Sequence, residues 1–374
     1  MATQDTQLDA VAEREALLLA PYAMFSALSS GRKFAEPAHR YRGPFQRDRD
    51  RIVHSTAYRR LSGKTQVFTR EMGDYHRTRL THTHEVASIS RTVGRALRLN
   101  EDLVEALALM HDIGHPPFGH AGEDVLDECL KDHGGFSHNR QALRIAEIIE
   151  QRYPEFPGLN LSYEVLAGQQ TRINKHGAPE RPLLEVQVVE AADSVAYDTH
   201  DVDDALQLRL LSMKELAEVP LWKQATERVG RRYQALDEGE LRRAVLHELL
   251  DWQIGELLAV AQRRLEAWNI DCLAAVRAAD FVVAPEGELA ELKAQLEKFL
   301  YARVYRNPLV VASRRIAQDQ LRAMFYGYCQ RPELMPESFR TRCDEYGLER
   351  SVCDYLAGMT DRFCQAEFTR LFAA

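Results

Sequence analysis

The chain has 374 residues, 48 Lys plus Arg against 56 Asp plus Glu for a net charge of −8, and 45% apolar residues. That balance belongs to a folded globular protein and excludes wholesale disorder and a bulk nucleic-acid coat, though a local basic stripe stays open. No run approaches the ~18 uninterrupted apolar residues of a membrane span, and the first twenty residues carry acids where a secretory leader is basic, so a cytoplasmic protein without membrane partners is expected. None of the six cysteines pair as CxxC. In a chain this long they read as reduced, mostly buried thiols rather than a zinc framework.

In chain order, residues 1–39 are weakly patterned and expected as a mobile N-terminal segment. From Thr81 to Leu99 the apolar residues Val86, Ile89, Val93 and Leu97 mark one helix face. Asn100 reads as the N-cap of a second helix with acids in its first turn and Leu103, Ala106, Leu107 and Met110 inward. Gly114, Pro116 and Pro117 stop it. The spacing predicts further helices over 139–152, from Leu183 to Leu206, and over 222–236, 240–268 and 286–305, with shorter ones to the end. Strand-like alternation is rare, and proline is absent from 45–115 and 221–284. The expected fold is all-α: a catalytic helical domain over 40–215 and a helical C-terminal region, 216–374, sharing its core.

Histidines crowd between 76 and 138: His76, His82, His84, His111, His115, His120, His133 and His138. His111 and Asp112 are adjacent at the end of an apolar helix. Imidazole plus carboxylate suits a divalent ion of the Mn, Fe, Co, Ni or Zn type. Neighbours on a helix point about 100° apart, so both reach one ion only near a helix end, and the Gly114–Pro117 break supplies that end. His82, opening the helix from Thr81, and Asp193, an acid flanked by Ala191, Ala192, Val195 and Ala196, are the candidates to complete the set.

His82, His111-Asp112 and Asp193, with the strings RDRDRIVHSTAYRRLSGKTQVF (47–68), RTRLTHTHEV (77–86), HDIGHPPFGHAGE (111–123), FSHNRQALRI (136–145) and EAADSVAYDTHDVDDA (190–205), resemble the HD superfamily of metal-dependent phosphohydrolases. Within it they resemble the deoxynucleoside triphosphate triphosphohydrolases, the dGTPase-like branch. The match is dense over 47–205 and loose beyond. Many members carry two consecutive acids where this chain has Asp193-Ser194, which leaves Asp193 as the ligand candidate of that pair.

The resemblance implies an HD-domain helical fold, a divalent metal (Mn, Mg, Co, Ni, Fe or Zn) and release of inorganic triphosphate from a dGTP-like deoxynucleotide. His120 and Glu123, spaced i, i+3 on one helix face, are implied as a catalytic pair in which the carboxylate tunes the imidazole. Acid, base and nucleophile roles all stay open for His120. His138 is implied beside the phosphates, and His115 and Arg79, three residues before His82, with the substrate. Asp193, Tyr197 and Asp201 form an i, i+4, i+8 stripe about 12 Å long. Along it Tyr197 lies against the deoxyribose, and Asp201 with Gln66 reads the 3′-hydroxyl. Relatives place subunit contacts, an activating nucleotide or single-stranded DNA along the arginine-rich segment Arg40–Arg60, and suggest a hexameric homo-oligomer. The rival readings are an HD-type 5′-nucleotidase or phosphodiesterase, and a regulatory nucleotide- or DNA-binding module.

Overall fold

The computed structural model describes residues 5–66, 77–173 and 181–371, with side chains from residue 10 onward. His76 and the turn-rich stretch 174–180 lie outside the described residues. The chain is all-α as expected: among the described residues the β interactions are isolated bridges such as Thr65 with Thr78. The longer helices are α1 (Asp5–Leu18), α2 (Pro44–Val53), α3 (Arg79–Ala96), α4 (Glu101–Met110), α5 (Gly119–Cys129), α6 (His138–Arg144), α7 (Tyr163–Ile173) and α8 (Leu184–Gln207). After them come α9 (Pro220–Arg232), α10 (Glu238–Ala267), α11 (Gly287–Leu300), α12 (Pro308–Gln330), α13 (Leu348–Ala357) and α14 (Asp361–Leu371).

Local chemistry sets the helix ends that matter. α3 begins at a capping box: the Thr78 hydroxyl accepts from the Thr81 amide at 3.3 Å, and the Thr81 hydroxyl accepts from the Thr78 amide at 3.0 Å. This fixes the first turn, which carries Arg79 and His82. Asn100 caps α4 as expected, accepting from the Leu103 amide at 3.4 Å, with Glu101 and Asp102 behind it. α4 stops at Met110 and hands His111 and Asp112 to a tight turn.

A Cβ on Gly114 would sit 2.0 Å from the His138 carbonyl oxygen and 2.4 Å from the Ala142 amide. Only glycine lets α6 cross the turn that closely, and this crossing brings His138 to the site. The Pro-Pro turn ends at Phe118, whose φ of 64° is left-handed and costly for a bulky residue. Gly119 follows at φ 59°, where a Cβ would lie 2.8 Å from the Arg79 guanidinium.

Three apolar clusters hold the molecule. The first joins α2, α3, α4 and the first half of α8, and takes in Leu257, Ala261 and Leu265 of α10. The second sets Val202 and Ala205 of α8 against α9, α10 and α11. The third packs Val125 and Leu126 of α5 under Leu321, Met324 and Phe325 of α12, with Val352 and Leu356 of α13. The stretch after residue 305, expected as short helices, therefore contains the 23-residue α12; its spacing blends into an exposed face bearing Leu309 and Ile316. The helix expected over 139–152 is shorter, α6 followed by a π turn at Ile145–Ile149. The N-terminal segment expected to be mobile is tied down from Glu15 onward. Glu15 accepts from the Ser26 amide at 2.8 Å, Glu185 accepts from the Met24 amide at 2.8 Å, and Arg32 pairs with buried Asp48.

Phe325 is 2% exposed in the cluster beneath α5. Phe325→Ala should lower the unfolding free energy by about 3–5 kcal/mol through lost burial and the cavity left behind. Urea unfolding with a midpoint unchanged from wild type would mean that α12 does not buttress α5.

Candidate metal centre and active site

His82 from the first turn of α3, His111 from the end of α4 and Asp193 from the middle of α8 bring ligand atoms within 4.8 Å of one another. His82 Nε2 lies 3.1 Å and His111 Nε2 3.7 Å from Asp193 Oδ1, and Asp112 Oδ1 joins at 3.4 Å from His111 Nε2. His82 and His111 are each 1% exposed and Asp112 is 4% exposed. The donor set fits a divalent ion on its own geometry. His111 Nδ1–H donates to the Ala108 carbonyl at 2.6 Å, so Nε2 carries the lone pair, and that buried atom has no hydrogen-bond partner.

Each carboxylate turns its other oxygen to a guanidinium: Asp112 Oδ2 accepts from Arg79 at 2.9 Å, and Asp193 Oδ2 from Arg172 at 2.6 Å. Burial pushes both carboxyls up, but the cations and imidazoles outweigh it and hold both well below the usual carboxylate range. Burial lowers His111 and His115, which favours the neutral, ligand-competent imidazole. Arg79, expected at the substrate, is 1% exposed and also donates to the Gln66 carbonyl at 3.3 Å.

Beside this centre lies a second cluster. Glu123 of α5 accepts at Oε2 from His120 Nδ1 at 3.0 Å and at Oε1 from His138 Nδ1 at 2.8 Å and from the His138 amide at 2.9 Å. Burial works against ionising Glu123, and the two imidazoles overcome it. The His120 side chain is 57% exposed, so its ring is held at one edge and open elsewhere. His115 stacks on His138 with ring centres 3.8 Å apart, and its Nε2 is 3.2 Å from Asp112 Oδ1. Asp112 thus touches both clusters.

The α8 stripe continues away from the centre. Tyr197 lies with its ring 6.3 Å from that of Tyr305. The Tyr305 hydroxyl donates to Asp201 Oδ2, while Asp201 Oδ1 is buried without a partner. Burial raises Asp201 to about 7, against the opposing pull of the Tyr305 hydrogen bond. Gln66 is 7% exposed, and its Oε1 is also a buried acceptor without a partner.

Several residues here were not singled out from sequence. Tyr305 arrives on a π turn, Tyr301–Tyr305, that follows α11. Arg314 of α12 lies over the Tyr305 ring at 5.7 Å. Lys64 Nζ, buried, donates to the carbonyls of His115 at 2.6 Å and Ala357 at 2.9 Å. Asp361 accepts from the Thr65 and Phe118 amides at 2.9 and 3.0 Å. His84 lies 3.2 Å from the Tyr58 hydroxyl, and His133 lies near Glu349. In the arginine-rich segment, Arg42 pairs with Asp50, and Arg47 and Arg51 with Glu36. No helix among the described residues is long and apolar enough to cross a membrane.

The HD domain profile matches residues 79–198, spanning all four metal-ligand candidates, and the phosphohydrolase-associated domain matches 283–370, spanning Tyr305, Arg314 and Asp361. A deoxyguanosinetriphosphate triphosphohydrolase-like protein of Geobacter sulfurreducens is 42% identical over 369 residues, covering 95% of each chain. Proteins of the same name from Bradyrhizobium sp. and Leptospira interrogans are 43% and 40% identical, over 94% and 97% of this chain and 96% and 98% of theirs. The chain belongs to the deoxyguanosinetriphosphate triphosphohydrolase-like family. Membership makes it an HD-domain phosphohydrolase.

Asp201 holds its proton more tightly folded, to about 7, than unfolded, near ~3.9. Its stabilising contribution is therefore full below about pH 4 and is lost as pH rises through about 7. Asp201→Asn cannot titrate, so wild type should lose stability relative to it across that window. Urea unfolding of both proteins checks this, and a difference that stays flat with pH counts against the buried protonated carboxyl.

Proposed function

We propose that this protein hydrolyses a dGTP-like deoxynucleoside triphosphate to the deoxynucleoside and inorganic triphosphate, in the cytoplasm. The observation that carries the reading is a set of buried polar atoms without protein partners: His111 Nε2, His115 Nδ1, Gln66 Oε1 and Asp201 Oδ1. A buried unpaired group costs about 1–3 kcal/mol, and four at one site mark surface made for a ligand. The names of the relatives, all triphosphohydrolase-like, favour the same substrate class.

His82, His111, Asp112 and Asp193 would hold the divalent ion, which supplies Lewis-acid neutralisation of a phosphoryl oxygen. Arg79 and Arg172 cancel the charge of the two carboxylates, and half-buried Arg314 is a cation open to the phosphates. Water adds at the α-phosphorus, the bond to the 5′-oxygen breaks, and that oxygen takes a proton from His120 as the water gives one up. Glu123 fixes His120 with Nδ1–H inward, so Nε2 faces the reaction. His138 and His115 position the phosphates from the stacked pair behind it. At the other end Asp201 and Gln66 accept from the 3′-hydroxyl, and Tyr197 flanks the 2′ position of the sugar.

The experiment is incubation of the purified protein with each deoxynucleoside triphosphate and Mn or Mg, resolving triphosphate from pyrophosphate and phosphate. Triphosphate is the expected product; phosphate or pyrophosphate alone would replace this reading with a nucleotidase or pyrophosphohydrolase. His120→Ala should keep its metal and lose roughly 10²–10⁴-fold in turnover, the range of general acid–base catalysis. His111→Ala should lose both metal and turnover. Metal loss in His120→Ala would make His120 a ligand instead.

Tyr197 sets a second expectation. A 2′-hydroxyl against its ring is left unpaired at about 1–3 kcal/mol, roughly 5- to 150-fold. Tyr197→Ala should raise ribonucleotide relative to deoxyribonucleotide turnover. An unchanged ratio would make Tyr197 a packing residue.

A further inference from the structure

α3 and α8 cross at His82, and each contributes two residues to the crossing. α3 supplies His82 and, one turn on, Glu85; α8 supplies Asp193 and, two turns on, His200, so both pairs share a helix face. His82 is gripped at both ring edges, Nε2 lying 3.1 Å from Asp193 Oδ1 and Nδ1 3.2 Å from His200 Nδ1. The two rings meet edge-on at 84°. His200 Nε2 in turn lies 2.9 Å from Glu85 Oε2, and Arg77 pairs with the same carboxylate. His200 is 8% exposed, while the Glu85 side chain is 44% exposed.

With both imidazoles neutral, one proton arrangement satisfies this chain. An ionised Glu85 only accepts, so His200 must carry its proton on Nε2. A neutral His200 then offers a lone pair at Nδ1, and His82 must donate to it from its own Nδ1. That leaves the His82 lone pair on Nε2, facing Asp193 Oδ1 with no proton between two acceptors, an arrangement that a cation resolves. The opposite tautomer of His82 would set a bare His200 Nε2 against the Glu85 carboxylate.

We propose that His200, anchored by Glu85, is a positioning residue that locks His82 in the tautomer and orientation presenting Nε2 to the metal. The proposal rests on His82 being a metal ligand, as read above. Residues that orient ligating imidazoles through the far nitrogen typically contribute 10–100-fold in metal affinity.

The test is titration calorimetry of Mn²⁺ into chelator-stripped full-length protein, with metal-free thermal unfolding as the check on folding. His200→Leu keeps bulk but neither donates nor accepts, and should weaken Mn²⁺ binding by about 10–100-fold. His200→Gln can accept from His82 and donate to Glu85, and should bind within a few-fold of wild type. Glu85→Ala, at a partly exposed position away from the ligands, should weaken Mn²⁺ binding in the same direction while unfolding like wild type. Wild-type affinity in His200→Leu and Glu85→Ala would overturn the proposal, as would equal losses in His200→Leu and His200→Gln. A wild-type protein that binds no Mn²⁺ at all would instead overturn the metal reading itself.

Discussion

Two carboxylates, Asp112 and Asp193, turn toward one small volume deep in the helical bundle, and the structure is arranged around keeping both ionised there. Isolated buried carboxylates would take up protons rather than stay charged. Here each gives its outer oxygen to a guanidinium, Arg79 from the first turn of α3 and Arg172 from the last turn of α7. Two acids and two arginines sum to zero beside two imidazoles, so a divalent ion held here would keep its full charge for an anion. Because one oxygen of each carboxylate is occupied, each offers only the other inward. The capping box that starts α3, and the place where α7 ends, thereby become part of the centre's electrostatics.

The C-terminal region completes what the HD helices begin. Asp361 holds two amides from different loops, one beside Gln66 and one at the left-handed Phe118. Lys64 ties the His115 carbonyl to that of Ala357 at the end of α13. These bonds set the distance between the loop bearing Gln66 and the turn leading to His120. The strained Phe118 persists because Asp361 and the cluster beneath α5 over-determine it. Tyr305 and Arg314 reach the site from the same region. The two halves share an apolar core through α8 and α10.

What sequence carried here was local. The caps of α4, the apolar face of α3 and the break at Gly114 follow from residue types a few positions apart, and they place His82, His111 and Asp112. Tyr197 and Asp201 stand out through the family resemblance, and helix arithmetic adds only that they share a stripe with Asp193. Tyr305 meets Asp201 across 104 positions and Asp361 meets Thr65 across 296, and no periodicity encodes such pairings. Arg172 stands next to a turn-rich stretch and reads as surface charge until α7 is seen against α8. His200 could have been found: it is seven residues beyond Asp193, and Glu85 is three beyond His82, the spacings that place each on its ligand's face. Arg79 was read as a phosphate contact because a cation one turn from a metal suits an anion. A carboxylate ligand at the same depth competes for that cation, and in the structure Asp112 holds it.

Asp193 and Asp201 stand eight residues apart on α8, about 12 Å along its axis, yet they are driven to opposite states. Asp193 faces two imidazoles and a guanidinium and is held ionised. Asp201 is fully buried with a tyrosine hydroxyl as its hydrogen-bond donor, and burial lifts it to about 7. The same side chain on the same helix is thus a charged carboxylate at one end and a near-neutral hydrogen-bonding group at the other. That gradient suits a ligand with one anionic end and one uncharged end. A triphosphate directed toward Asp201 would meet a buried carboxyl, whereas a sugar hydroxyl there would find the free Oδ1. A hydroxyl donating to Oδ1 would favour the ionised form and so would couple its binding to proton release near neutral pH.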